Sequence, residues 1–360
     1  VKLVKSEIIF MNYIFCQNWK NTDGNHAGMK HMCQLLKENY PGKYELIIFP
    51  DNKNLFVSSS NKYFRFFKAY IFDRIWIPLY HLLITFFVLI KIRNEDSVIL
   101  LEYLLPTYSQ LGIAKTFKLF KPKVKRIALA HLTPLSLQSF FSQNQILKWG
   151  KQVDYLLTFG SSLTAYLVEM GVSKSKVFTI KHYVDSSYYY QIKTSEPTLK
   201  PTVIVMGAMK RNFRLLADIV NNVEGVRFII CKGKLPLDGY FKQSDDIQLF
   251  GFVSEDELRN LMCKSDISLN IMDDTVGSNV ITTSMAMGLA IIVSDVGSIR
   301  DYCDNSNAIF CKNDINSFKT AIEVLMQKKT LQSMKVASLL KSKQFSFEQF
   351  NDVVKKMMDC

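Results

Sequence analysis

The chain has 360 residues, 48% of them hydrophobic and 21% charged, which is enough for two ordinary folded domains and excludes a disordered polymer. Its net charge of +13 is unevenly held: residues 1–200 carry 26 Lys and Arg against 13 Asp and Glu, whereas residues 201–360 carry 19 against 19. A basic first part points to an anionic partner (nucleic acid, a phospholipid surface or a phosphorylated acceptor) or to a merely soluble basic face.

Position 1 is Val, and residues 1–10 are short and charged at Lys2, Lys5 and Glu7, so no secretory signal is expected there. The natural start at Val1 or at Met11 stays open. Seven scattered cysteines without a Cys-x-x-Cys pair indicate neither a disulfide framework nor a zinc site, and favour a reducing compartment.

Short β-branched runs then alternate with amphipathic helical patterns, the signal of parallel α/β sheets. In the first half, strands are predicted at residues 11–16, 44–49, 97–101, 126–130, 155–159 and 177–180. Helices are predicted at 29–39 and at 162–170, the second stopping at Gly171. Residues 75–90 form the most hydrophobic stretch, too short and too polar to span a bilayer, with basic and aromatic residues on both sides from Lys62 to Arg93. Two readings are open: an interfacial helix meeting lipid phosphates, or a buried helix with a solvated basic edge. No RNA-binding signature, helix-turn-helix or zinc finger accompanies the basic residues, so no nucleic-acid partner is expected.

Residues 191–201 are polar, hold two prolines and lack periodicity, which marks a linker. Beyond it, strands are predicted at 202–206, 227–231, 247–250, 267–271 and 290–294. Helices are predicted from about Phe213, after the Ser254-x-x-Glu257 capping pattern, at 279–287 up to Gly288, and from Asp314 to the end. The resulting division is a first domain at 1–190, a linker at 191–201, a second domain at 202–344 and a last helix at 345–360 that packs back on the first domain.

In open parallel sheets, ligands bind beyond the carboxyl ends of the strands. Two such domains face to face would line a cleft with loops 17–28, 102–107 and 131–134 of the first and 207–214, 231–234, 251–253 and 273–283 of the second. Gly277-Ser278-Asn279 leads into a helix, where free amides and the positive helix end favour an anion, although Ser278 and Asn279 are also ordinary N-cap residues. Lys210, Arg211 and Arg214 place cations at a strand's carboxyl end, suited to the charge of a departing diphosphate. Neither a Gly-x-Gly-x-x-Gly after the first strand nor a Walker A sequence is present, against a dinucleotide oxidoreductase or a P-loop ATPase.

Residues 201–303 resemble the donor-binding domain of GT-B glycosyltransferases, and glycosyltransferase family 4 (glycosyl transferases group 1) in particular. Asp266-Ile-Ser-Leu-Asn270 followed by the run from Gly277 to Gly297 is similar to that family's central signature. Leu249-Phe-Gly-Phe-Val253 with Glu257-Leu258 is similar to a second landmark, and Val153-Asp154-Tyr155, Gly171-Val172 and His182-Tyr-Val-Asp185 to others further upstream.

The resemblance implies an α/β GT-B fold of two Rossmann-like domains and a nucleotide-diphosphate sugar as donor. It further implies hexosyl transfer without a metal or cofactor, usually with retained anomeric configuration. Lys210 and Arg211 would hold the diphosphate, with Gly207 and Arg214 beside them. Phe252 and Val253 would meet the nucleobase, and Gly277, Ser278, Asn279 and Val280 the donor sugar or phosphate. His131 would reach the donor from across the cleft, and Gly24, His26, Gly28 and Glu102 would lie on the acceptor side. The acceptor would be a saccharide or lipid-linked saccharide in cell-surface polysaccharide synthesis, met at the inner face of the cytoplasmic membrane.

One departure stands out. The family's Glu-x7-Glu is replaced by Thr275 and Thr283, with Asp273 or Asp274 as substitutes for the first carboxylate. A catalytically degenerate paralogue that binds a partner therefore stays open, as does a sugar-nucleotide epimerase on the same fold.

Overall fold

The computed structural model describes residues 10–19, 24–49, 75–106, 110–191 and 200–359. Two parallel sheets of six strands each carry it. The first contains β1 (Asn12–Gln17), β2 (Tyr44–Phe49), β3 (Ser97–Tyr103), β4 (Lys125–Ala130), β5 (Tyr155–Thr158) and β6 (Val177–Thr179), in the order β2-β1-β3-β4-β5-β6. The second contains β7 (Thr202–Val205), β8 (Arg227–Cys231), β9 (Ile247–Phe250), β10 (Ile267–Asn270), β11 (Ala290–Ser294) and β12 (Ala308–Cys311), in the order β12-β11-β10-β7-β8-β9. The central strands explain this architecture. All seven residues of β3 and all five of β11 are buried, which requires cover on both faces and hence helical crossovers.

Those helices in the first lobe are α1 (Met29–Asn39), α2 (Ile77–Lys91), α3 (Leu111–Phe120), α4 (Pro134–Phe140), α5 (Gln143–Gly150) and α6 (Ser161–Glu169). In the second they are α7 (Phe213–Asn222), α8 (Glu255–Cys263), α9 (Asn279–Ala286), α10 (Ile315–Leu325) and α11 (Lys328–Ser342), and α12 (Glu348–Asp359) ends the chain. Their starts follow capping chemistry: Thr133, Asn212, Ser254, Ser278 and Asp314 each accept a backbone N–H of the helix they precede.

Helices α3, α4 and α5 were not among the expected elements, and two further features depart from them. β12 was not expected, because Ala308–Cys311 is short and only partly buried at the sheet's edge. The region after Asp314, expected to be helical with a separate last helix at 345–360, is three helices, broken near Gln327 and between Ser342 and Glu348. The expected linker falls mostly outside the described residues, as do the basic and aromatic residues 60–74.

The lobes are joined twice. The segment after β6 crosses between them, and the chain returns after α11, where the Val184 N–H donates to the Phe345 carbonyl at 2.7 Å. Phe350, Val354 and Met357 of α12 belong to the first lobe's core, and Lys125 Nζ caps the helix by donating to the Met357 and Met358 carbonyls. Lobe and sequence order therefore disagree at the end of the chain.

Candidate active site

Strand order reverses at β1/β3 in the first sheet and at β7/β10 in the second, and a ligand crevice opens at such points. In the second lobe the loops after β7 and β10 are tied by an antiparallel bridge between Arg211 and Met272. The Asp273 N–H donates to the Lys210 carbonyl at 3.0 Å, and Asn212 Nδ2 donates to Asp273 Oδ1 at 3.0 Å. Gly207 has φ +82°, and a Cβ there would lie 3.2 Å from Val280 Cγ2 and 3.3 Å from Arg211 Nη2. The guanidinium thus folds over the end of β7, beside the first turn of α9. The cationic turn and the amino end of α9 adjoin.

Arg211 Nη1 is buried and has no hydrogen-bond partner among the described residues. Burial without a counter-charge pushes the guanidinium down to about 10. Lys210 adopts φ +53°, a conformation that costs a non-glycine residue about 1–2 kcal/mol. Together they bring a half-buried guanidinium with one unpartnered nitrogen, the positive amino end of α9 and a second cation into one place, an arrangement suited to cradling an anion.

The approach to α9 depends on close packing. Gly277 has φ +105°, and a Cβ there would sit 2.2 Å from the Tyr302 ring. Tyr302 is buried, donates its hydroxyl to the Phe159 carbonyl at 2.5 Å and accepts the His182 N–H at 3.0 Å. One hydroxyl therefore spans second lobe, first lobe and crossover. Ser298 Oγ does similar work, accepting the Ser162 N–H at 2.9 Å.

The first lobe contributes His131 at the end of β4. It hydrogen-bonds the Leu101 carbonyl, and burial holds the ring down at about 4, so it is neutral near pH 7. With one nitrogen donating to that carbonyl, the other offers a lone pair. Phe159 lies between His131, with centroids 6.0 Å apart, and His182, stacked at 3.8 Å. His182 is held down at about 3 by burial, then by His131, against the opposing effect of Asn279. Neither His182 Nδ1 nor Asn279 Oδ1 completes a well-aligned hydrogen bond. A row of side chains from β4 to α9 thus leaves unused polar capacity where the lobes meet. His182 is the residue that sequence reasoning treated only as a landmark; no spacing rule marks it.

The positions that replace the acidic pair are occupied locally. Thr283 Oγ1 donates to the Asn279 carbonyl at 2.8 Å, and Thr275 Oγ1 accepts the Gly277 N–H at 3.0 Å. Asp274 is buried and turned toward the first lobe, where Oδ2 accepts the Leu135 N–H of α4 at 3.2 Å. Phe252 is exposed beyond β9 beneath Lys234, 5.6 Å from its ring centroid, and Val253 is half-buried next to it. Arg214 projects into solvent from the first turn of α7.

Glu102, expected on the acceptor side, is 2% exposed rather than presented to the cleft. Burial pushes its carboxyl up to about 8, against hydrogen bonds from Gln17, Trp19 and Gln110. Gln110 Nε2 reaches Glu102 Oε2 at 2.7 Å and the Phe15 carbonyl at 3.1 Å, so Glu102 braces the β1/β3 crevice from below. Gly24 and Gly28 flank His26, which stacks on Tyr188 with centroids 3.7 Å apart.

His26, His31 and Asp185 are the group with metal-ligand chemistry among the described residues, their ligand atoms lying within 4.8 Å of one another. Asp185 is already saturated. Its Oδ2 accepts from His26 at 2.7 Å and His31 at 2.9 Å, and its Oδ1 from the Ser187 N–H and hydroxyl. Burial would raise its pKa, but the bonds from Ser187, His26 and His31 hold it at about 2. The triad ties α1 and the loop before it to the crossover.

Two parallel sheets facing each other across an anion cradle at a switch point define the GT-B fold. Residues 200–328, most of the second lobe, match the family model described as "Glycosyl transferases group 1". A curated relative is the phosphatidylinositol N-acetylglucosaminyltransferase GPI3 subunit of Saccharomyces cerevisiae, 23% identical over 173 residues. That match covers 44% of this chain and 36% of the relative, so the alignment spans about a third of the relative's length. Among solved structures, Anabaena HepE in complex with UDP and glucose superposes with a TM-score of 0.68 at 11% identity, over 97% of this chain and 99% of that one. Sucrose-phosphate synthase from Thermosynechococcus elongatus gives 0.70 at 12% identity, over 97% and 99%.

Proposed function

We propose that the protein transfers a hexose from a nucleotide-diphosphate sugar to a hydroxyl of a saccharide or lipid-linked saccharide. In this reading it acts without a metal, retains the anomeric configuration and serves cell-surface polysaccharide synthesis as a peripheral protein at the cytoplasmic face of a membrane. The observation that carries the proposal is Arg211, whose buried Nη1 has no hydrogen-bond partner among the described residues, set against the amino end of α9 at a switch point. The names of the relatives agree with it: one is an N-acetylglucosaminyltransferase subunit, and another was solved with UDP and glucose.

The chemistry follows from charge. As the bond between the anomeric carbon and the diphosphate oxygen breaks, negative charge grows on the leaving phosphate. Arg211, Lys210 and the α9 amides stabilise it in place, with little reorganisation. The acceptor hydroxyl adds to the anomeric carbon from the same face, and its proton passes to the departing phosphate oxygen. Neutral His131 accepts a hydrogen bond from a sugar hydroxyl through its free nitrogen and so orients the ring.

Incubation with UDP-, GDP- and ADP-sugars and both acceptor classes tests the proposal, with the product's anomeric configuration read by NMR and EDTA as a metal control. Absence of both transfer and donor hydrolysis across the set would remove it. A second reading, a nucleotide-binding protein without turnover, is favoured by the local engagement of Thr275 and Thr283. It expects nucleotide binding by calorimetry and no reaction.

A further inference from the structure

Helix α2 has two unlike faces. Val88 and Leu89 are buried in the first lobe's core, and His81 stacks on Phe49 with centroids 3.9 Å apart. The other face exposes Leu79, Leu83, Phe86, Phe87 and Ile90, at the spacing of one helical stripe. Phe87 is 64% exposed and Ile90 67%. Helix α3 packs beside α2 and extends the surface with Leu119, 73% exposed, and Phe120. Seven large apolar side chains on these two adjacent helices are each more than 40% exposed, a grouping that soluble monomers rarely leave uncovered.

No core of this chain among the described residues covers that stripe, and the two helices and the turn after α3 also expose the cations Lys91, Lys115 and Lys123, while Arg93 is paired with Asp96. Glu95 is the exposed acid in the turn that follows α2. Charge selects the occupant. A second copy docked on the stripe would bring like charges together, whereas an anionic lipid leaflet offers hydrocarbon to the stripe and phosphates to the cations. Length sets the depth. At about 1.5 Å per residue, α2 reaches about 22 Å, short of the roughly 30 Å hydrocarbon core, and no described helix is long and apolar enough to cross a membrane.

We infer that α2 and the end of α3 form a monotopic insertion surface that holds the protein on an anionic bilayer, with α2 lying in the headgroup plane. Because α2 leads directly into the start of β3, its opposite end, at Ile75–Trp76, lies toward the carboxyl edge of the sheet, where the β1/β3 crevice opens. A lipid-borne substrate would therefore meet the cleft without leaving the leaflet. The surface itself stands independently of the transfer reaction.

Flotation of the full chain with phosphatidylcholine vesicles, with and without phosphatidylglycerol, tests the inference. The protein is expected to float with the anionic vesicles and to be released by salt. Phe87→Asp and Leu83→Asp are each expected to weaken binding at least about tenfold, and Lys91→Glu to lower it selectively on anionic vesicles. Each variant should keep the wild-type melting temperature and nucleoside-diphosphate binding, which separates failure of this surface from failure of the proposed reaction. Three results would overturn it: wild type staying soluble with both vesicles, aspartate variants floating like wild type, or a lipid-free dimer that Phe87→Asp dissociates while vesicles are ignored.

Discussion

Arg211→Met separates the two states of the anion cradle. Methionine keeps the length and packing of the stem but removes the charge. In the nucleotide-free protein, burial has driven the guanidinium down to about 10; at about 1.4 kcal/mol per pH unit, that corresponds to about 3 kcal/mol of uncompensated desolvation. The side chain is only half-buried, so solvent screening leaves about 1–2 kcal/mol. Removing the charge should therefore raise the melting temperature by about 2–4 °C, as replacing a buried unpaired charge with an apolar group does. With nucleotide the sign reverses. Loss of a preorganised cation from a diphosphate is expected to weaken UDP, GDP or ADP binding, whichever is preferred, by about 100-fold. Differential scanning fluorimetry and isothermal titration calorimetry read the two effects. A variant that binds within about threefold of wild type, or whose free form melts well below it, would refute the cradle.

Three further outcomes are expected. Tyr302→Phe deletes the hydroxyl shared by the Phe159 carbonyl and the His182 N–H; it should cost about 2–4 kcal/mol in urea unfolding, at about 1–3 for each backbone group left unpaired. Gly277→Ala places a methyl against the Tyr302 ring at a backbone angle of φ +105°; about 2–4 kcal/mol of destabilisation and loss of nucleotide binding should follow, and a full-affinity variant would contradict the packing. Stability should depend on pH through two opposed groups. His131 and His182, lowered to about 4 and about 3, make stability fall as pH drops below 6.5, by up to about 1.4 kcal/mol per pH unit each. Glu102, raised to about 8, contributes stability below pH 4.5 that is lost as pH rises to 8. His182→Asn should flatten the acid limb of a melting-temperature profile, and Glu102→Gln the limb between pH 6 and 8.

The central strands were legible because they are buried on both faces and so read as unbroken apolar runs. Tyr44–Phe49, Arg227–Cys231, Ile247–Phe250 and Ala290–Ser294 have the predicted limits, and the other predicted strands moved by one or two residues. β12 escaped as a four-residue edge strand, whereas the edge strands β2 and β9 were found. α5 had a readable start, Ser142-x-x-Gln145, which forms a full capping box. In the cleft, the loops that follow strands were legible from order alone. Tertiary closure was not: that Tyr302 would bolt the lobes, that Asp274 would turn toward α4, or that Glu102 would sit beneath the crevice depends on contacts between residues tens to hundreds of positions apart. Over residues 75–90 the helix buries one face in the first lobe's core and exposes the other; contact of the exposed face with lipid is the inference drawn above.

The placement of α12 bears on synthesis. Phe350, Val354 and Met357 complete a core whose first strand begins at Asn12, so the first lobe to leave the ribosome is the last to be finished. The second lobe can close while its predecessor still waits for a missing wall. A nascent chain halted before Glu348 should therefore hold one protease-resistant half and one labile half, in the reverse of the usual amino-to-carboxyl order.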